Sequence, residues 1–483
     1  MNNDYLQSTI YDFLYDEFKI TKPIRIIELF AGYGSQYLAL KYLGANVEHY
    51  KICEWAIKSI QAYNDLHIQD YNDYSKNLDD DEVINKLLEY GVSTNYNDPA
   101  TIEQIKRQNY RKIYNNIIAT NNLVNISNVK GEDLEIIDTD KYDYILTYSF
   151  PCQDLSLAGK GKGMSDTTTR SGLLWEVERI LKECKELEKL PQILLMENVP
   201  QVHGADNVAD FNKWQLELEK LGYKNYFQDL IATDYGIPQT RNRCFMVSIL
   251  GNYNYTFPKP IPLKLKLKDI LEKNVNKKYY LSDKTIKFFY ENEKKQKEKG
   301  NGFKFGVTNG DTIAKTITTR AGSRMDDNFI TNKSLKETLE KNNIKDTCYI
   351  DTYNRKIDNE KAGTITTGVS YRNNTFLAEK NDNNICVGTY QYAKSDKFMQ
   401  GKPRLQIGKE VSDTIQTSQK EGVVNSDLKI RKLTPKECFR LMGVKDKDFD
   451  KIKKNQSDSS LYHLAGDSIV VNVLMAIFEK MLK

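Results

Sequence analysis

The chain has 483 residues, 40% hydrophobic and 28% charged, with 70 Lys and Arg against 66 Asp and Glu for a net charge of +4. That length allows two or three domains around a large core, and the composition excludes disordered and fibrous classes. No run of about 18 apolar residues predicts a membrane span, the acidic start lacks an export-signal layout, and seven cysteines without a CxxC pair argue against a zinc site or disulfide framework and for a reducing compartment.

Residues 1–22 read as a short amphipathic helix. From Ile24 the pattern alternates between strand and helix. Predicted strands are IRIIELF (24–30), VEHYKICE (47–54), YDYILTYSF (142–150), QILLMENV (192–199) and CFMVSIL (244–250). A helix is predicted over 171–190, with Leu173, Leu174, Val177, Ile180, Leu181, Cys184 and Leu187 on one stripe. This alternation implies an α/β fold with a mostly parallel, doubly wound sheet. Two stretches break it. Residues 66–125 are polar and read as an insertion with some helix. Residues 251–430 are rich in Lys and Asn and read as a second domain, after which 431–483 return to the first. Within the second stretch KTITT (315–319), GTITT (363–367) and DTIQT (413–417) form a weak repeat of β-prone pieces. Between Lys259 and Lys299 there are 13 lysines against six acidic residues. Such an excess suits phosphate contact, or simply a solvated surface.

The chemistry-bearing residues cluster at predicted strand ends. Phe30 is followed by Gly32 and Gly34, which let a backbone approach a ligand closely; an ordinary tight turn explains them equally well. Glu54 is placed to accept from ribose hydroxyls, Trp55 to stack on a purine, and Asp133 to accept from an adenine amino group. Pro151-Cys152-Gln153 follows the 142–150 strand and opens a Gly- and Lys-rich loop, a setting for a nucleophilic cysteine, although most lone cysteines are core residues. Glu197 ends the next strand, where a partly buried carboxyl acts as proton donor or hydrogen-bond partner. Arg241 and Arg243 stand at i and i+2 on extended chain and point to one face, as a clamp or a surface pair.

The ordered set FAGYG, PCQ, ENV, QTRNR, RKLTPKECFRLMG (431–443) and AGDSIVVNVLMAIF (465–478) resembles the cytosine-C5 DNA methyltransferase family, of the bacterial restriction-modification or phage type. The likeness covers about 300 residues, the whole α/β part. It implies a class I S-adenosylmethionine-dependent, Rossmann-like fold, with 251–430 as a mostly β target-recognition domain. It also implies S-adenosylmethionine as cofactor and sequence-specific duplex DNA as substrate. Cys152, Glu197, Arg241 and Arg243 would be catalytic. Phe30, Gly32, Gly34, Glu54, Trp55, Asp133, Pro151, Leu174, Asp467 and Ser468 would hold the cofactor. Gln153, Ser156, Lys160, Lys162, Thr316, Thr364 and Thr414 would touch DNA. No metal is implied. A monomer is expected, acting separately from any cognate endonuclease. The 153–172 segment is expected to close over a cytosine flipped from the duplex. Asp467 departs from the Asn common at that place, which removes an amide donor. Competing readings are a tRNA cytosine-C5 methyltransferase on the same core and an inactive DNA-binding protein.

Overall fold

The computed structural model describes residues 16–151, 171–331 and 430–483, with the strands lying between 347 and 407. Six strands form the main sheet: β1 (Ile24–Leu29), β2 (Val47–Cys53), β3 (Asp143–Tyr148), β4 (Ile193–Asn198), β5 (Tyr223–Ile231) and β6 (Asn242–Leu250), in the order β2-β1-β3-β4-β6-β5. β1 pairs in parallel with β2 and β3, and β3 with β4, while β6 runs antiparallel to both of its neighbours. The central strands β3 and β4 are buried along their whole length, as continuous apolar runs in a two-faced parallel sheet should be. β5 escaped the sequence reading because it is the edge strand. Its middle, Phe227–Asp229 within YKNYFQDLI, is exposed, so it carries no clean apolar period.

Helices α1 (Ser35–Leu43), α2 (Ile57–Tyr63), α3 (Asp80–Tyr90), α4 (Ile102–Lys106), α5 (Tyr110–Ala119), α6 (Leu174–Glu186) and α7 (Val208–Leu221) connect these strands. α6 and α7 cover one face, where Leu174, Val177, Ile180, Leu181, Phe211 and Trp214 join the strand residues Leu146, Leu194 and Met246 in the main core. The polar insertion is a helical subdomain. Val83, Ile84 and Leu87 of α3, Ile105 of α4, and Ile113 and Ile117 of α5 share a second core with Ile57 and Ile60 of α2. Residues 16–22 are not helical. They run extended, with the Phe18 N–H donating to Asn254 O at 2.9 Å and the Ile20 N–H to Met481 O at 2.8 Å.

The chain forms two compact units: 1–270 with 313–320 and 435–483, and 271–312 with 321–434. The first unit closes with α9 (Pro435–Leu441), α10 (Asp446–Lys453), α11 (Asp458–Asp467) and α12 (Val471–Leu482), the last packing on α1. The stretch Asp458–Leu482 is long and apolar enough to cross a bilayer, yet its most apolar part is mostly buried inside the fold and it breaks between α11 and α12. In the second unit, α8 (Asp283–Glu298) belongs with a small sheet of β7 (Val307–Thr308), β8 (Phe329–Thr331) and β14 (Ile430–Lys432), around Phe289, Phe305, Met325 and Phe329. An antiparallel sheet follows the order β10-β9-β11-β12-β13, built from β9 (Thr347–Asp351), β10 (Lys356–Asp358), β11 (Thr375–Asn381), β12 (Asn384–Gln391) and β13 (Arg404–Ile407).

Candidate active site

The parallel strands β1 to β4 all end on one edge of the sheet, and most predicted site residues sit there. Glu197, near the end of β4, is 5% exposed. One carboxylate oxygen accepts from the Ser149 hydroxyl. The other, Oε1, lies 3.1 Å from Arg243 Nε across the β4–β6 pair and makes no well-angled hydrogen bond among the described residues. Asn198 pins the same strand ends: its Nδ2 donates to Phe150 O at 3.0 Å and its Oδ1 accepts from the Val199 N–H at 2.8 Å. The chain leaving Phe150 and Pro151 is therefore fixed against Glu197, immediately before the cysteine. Cys152 lies outside the described residues, as do Gln153, Ser156, Lys160, Lys162, Thr364 and Thr414.

Arg241 is corrected from a base-holding residue to an internal clamp. Its guanidinium is 4% exposed and donates to the backbone oxygens of Ile317 (3.2 Å), Gly466 (3.1 Å) and Ser468 (2.8 Å). Gln239, which the sequence reading passed over, does the same on the other side. Its Oε1 accepts from the Ile317 N–H at 2.9 Å and its Nε2 donates to Leu441 O at 2.8 Å. Thr316 thus sits in the first unit, on a segment held to β6. Gly466 has no room for a side chain, since an added Cβ would fall 2.2 Å from Thr319 N.

Beside β1 and β2, Glu54 is buried and both of its oxygens accept backbone N–H groups, from Gly32 at 2.8 Å and Ala56 at 2.7 Å. Burial pushes its carboxyl up to about 7, against these two hydrogen bonds, and the charge of Asp467 pushes the same way. Asn122 fixes the Glu54 backbone, accepting from its N–H at 3.0 Å and donating to its carbonyl at 2.9 Å; nothing in the sequence marked it out. Phe30 (φ 58°) and Gly32 (φ 56°) make the left-handed turn after β1. A Cβ at Gly32 would meet nothing within 4 Å, whereas one at Gly34 would strike Tyr63 at 2.5 Å and His67 at 2.6 Å. Gly32 thus borders open space, while Gly34 serves packing and not a ligand.

Three further assignments change. Leu174 is wholly buried in the core, and the half-buried neighbour with surface to offer is Leu173. Asp133 spends its carboxylate capping the Lys130 N–H at 2.8 Å, in a turn packed along α6, and the segment pairing with the end of β2 stops well before it, at Asn122–Val124. Ser468 is buried, its hydroxyl donating to Ala465 O at 3.0 Å and accepting from Tyr33 OH at 3.1 Å. Asp467 remains exposed, paired with His463 at 3.1 Å. Trp55 is half-buried and packs against the insertion core. His203, Asp229 and Cys244 bring metal-ligating atoms within 4.8 Å of one another, a mixed grouping that cysteine spacing could not reveal. In the structure the imidazole is already paired with Asp229 at 2.9 Å.

An adenosyl amino acid fits these residues. In such a fit Glu54 would accept from ribose hydroxyls, Phe30 and Trp55 would offer aromatic surface, Gly32 would leave room, and Asp467 would face an ammonium. The chain matches the family model described as C-5 cytosine-specific DNA methylase over residues 94–483. It is 30% identical over 472 residues to the Type II methyltransferase M2.ScrFI of Lactococcus lactis subsp. cremoris, covering 95% of this chain and 99% of that protein. It is 37% identical over 242 residues to the orphan methyltransferase M.SssI of Spiroplasma monobiae, covering 48% of this chain and 61% of that protein. In fold it is similar to the S. pombe Dnmt2 methyltransferase, at a TM-score of 0.52 and 15% identity over 95% of this chain and 98% of that one. Strand-end acids, a clamped carboxylate beside the chain that leaves β3 and a match across most of the chain agree: it belongs to the C-5 cytosine-specific DNA methylases.

Proposed function

We propose that the chain methylates carbon 5 of a cytosine flipped out of duplex DNA, using S-adenosylmethionine, with Cys152 as nucleophile and Glu197 as the group that holds the base. The observation that carries this reading is the Glu197 carboxylate. It is buried at the end of β4, held by Ser149 and Arg243, and keeps one oxygen without a well-angled hydrogen bond beside the strand that leads into Pro151-Cys152.

Carbon 5 of cytosine is a poor nucleophile. The Cys152 thiolate forms a bond to C6 and pushes the electron pair of the C5–C6 bond onto C5 and into the ring. Glu197 faces N3 and the exocyclic amine, so charge driven into the ring meets a hydrogen-bonding partner there. Arg243 and Ser149 fix the carboxylate in place, and Asn198 holds the Phe150 carbonyl, two residues before the cysteine. Bound S-adenosylmethionine supplies the methyl group to C5. Loss of the C5 proton then returns its electron pair to the C5–C6 bond, and Cys152 leaves as thiolate. Glu54 holds the ribose of the cofactor, and Asp467 its amino-acid end. The 271–312 and 321–434 unit reads the DNA site. The chain works as a monomer in the bacterial cytoplasm, and any cognate endonuclease acts separately.

Base-resolution sequencing of plasmid DNA incubated with the chain and S-adenosylmethionine tests this. The expected result is methylated cytosines in one sequence context, absent with Cys152→Ala. Methylation that persists in that variant would reject the covalent route, and modification of tRNA in place of duplex DNA would reject the substrate.

A further inference from the structure

The turn that follows β1 is held at two points, and both holds come from one short stretch of chain. At the first, the Gly32 N–H donates to Glu54 Oε2 at 2.8 Å. From Glu54 the chain runs directly into α2, with the Ala56 N–H donating back to Glu54 Oε1 at 2.7 Å. α2 then widens into a single π-turn over Asn64–Ile68, closed by the Gln69 N–H donating to Asn64 O at 2.7 Å. Single π-turns inside helices are rare and collect at functional sites. This one carries His67. Its Nε2 lies 2.9 Å from Tyr33 O and 3.0 Å from Gly34 O, further along the turn that Glu54 holds.

Both of these partners are carbonyl oxygens, which only accept, so Nε2 carries the proton. The imidazole is buried. Burial, with the charge of Lys41, holds its pKa well below the usual histidine range, so the neutral form persists. The ring packs against Tyr63 and Tyr37, with centroids 4.7 Å and 5.0 Å away. Tyr63 braces the same region: its hydroxyl donates to Glu28 Oε2 at 2.6 Å, and Glu28 Oε1 accepts from the Tyr37 N–H at 3.1 Å at the start of α1. The bonds form a closed circuit, from Gly32 to Glu54, through α2 to His67, and back to Tyr33 and Gly34. Inside it lies Phe30, whose left-handed φ of 58° costs energy in a bulky residue and persists only where the surroundings over-determine it.

We propose that His67 is a positioning residue for cofactor binding: its Nε2–H fixes the Tyr33 and Gly34 carbonyls and thereby the Phe30–Gly32 surface offered to the adenosyl amino acid. His67 does not itself touch the ligand. This rests on the reading that the chain uses S-adenosylmethionine.

The test combines steady-state methylation kinetics and calorimetric titration with S-adenosylhomocysteine on the full chain, beside urea unfolding. His67→Phe keeps a flat ring and removes the donor. It is expected to raise the cofactor KM and weaken S-adenosylhomocysteine by about threefold to tenfold, with kcat at saturating cofactor within about twofold of wild type. His67→Gln returns an amide N–H and is expected to recover most of that loss. A merely structural role would lower the unfolding midpoint without this split between KM and kcat and without the rescue. Wild-type cofactor affinity in a folded His67→Phe, or a Gln variant no better than Phe, would overturn the assignment. If His67→Phe does not fold, His67→Gln assigns the His67 signals in nitrogen NMR spectra of the histidine-labelled wild type, which has four histidines. Those signals are expected to shift on saturation with S-adenosylhomocysteine, and signals that stay in place would overturn the proposal. Failure of the wild type itself to bind S-adenosylhomocysteine would instead overturn the cofactor reading, and the wild-type titration reports that separately.

Discussion

Glu54 shows what a single buried carboxyl implies. Its folded value of about 7 stands above the ordinary 4.5 because burial outweighs the two N–H groups it accepts. A carboxyl raised in this way contributes stability below its ordinary value and loses it as pH rises through about 7. Glu28, wholly buried and bonded to Tyr63, is also raised to about 7 and adds to the same trend. Ribose hydroxyls are best accepted by the ionised form. Cofactor affinity is therefore expected to rise as pH goes from about 6 to about 8 and then level off, and Glu54→Gln should weaken binding and flatten the curve. Calorimetry across that range decides it, and a flat wild-type profile would rule the linkage out. The placement of Glu54, Gly32, Glu197 and Arg243 was legible in the sequence because each stands near a strand-to-loop junction, where ligands bind in this architecture. Gly34, Leu174, Asp133 and Ser468 stand in the same motifs, and motif membership alone does not say whether a side chain faces the ligand or the core. Asn122 was not legible at all, since its hold on the Glu54 backbone joins distant segments with no local pattern.

At the scale of elements, the sheet was readable where strands are buried and not where they are edges. β3 and β4 are continuous apolar runs, whereas β5 is interrupted by exposed residues and was missed. The antiparallel sense of β6 follows from its insertion between β4 and β5 and leaves no trace in composition. The least legible element was the segment 313–320. It read as one copy of a Thr-Ile repeat inside a second domain, yet Gln239 and Arg241 tie its backbone to β6, α9 and the Gly466–Ser468 turn. Replacing Arg241 by Met keeps the length and leaves three buried carbonyls short of a charged donor. A loss of about 2–4 kcal/mol is expected from urea unfolding, on the scale of one or two charged hydrogen bonds. Cofactor affinity should fall with it, because the same turn carries Asp467. Stability unchanged in Arg241→Met would show that the clamp contributes nothing.

Across the whole molecule, the charge divides unequally. The 271–312 and 321–434 unit carries 29 Lys and Arg against 21 Asp and Glu, while the remainder carries 41 against 45. A net +4 hides a basic unit and a slightly acidic one. DNA affinity is therefore expected to fall steeply with salt, with cofactor affinity much less affected. Replacing the exposed Lys295, Lys297 and Lys299 together by Gln should reduce the slope of log affinity against log salt by about 1–3. An unchanged slope would remove this face of α8 and the residue after it from the DNA path.

The chain passes between its two units four times, at 270/271, 312/313, 320/321 and 434/435. For heredity this means that the second unit is not one exchangeable cassette. A recombination event that replaced 271–434 in one piece would also import a foreign 313–320, whose backbone must match the host's Gln239, Arg241 and Gly466. Successful grafts would preserve that octapeptide and splice on both sides of it. Shuffling between relatives is thereby constrained to paired crossovers.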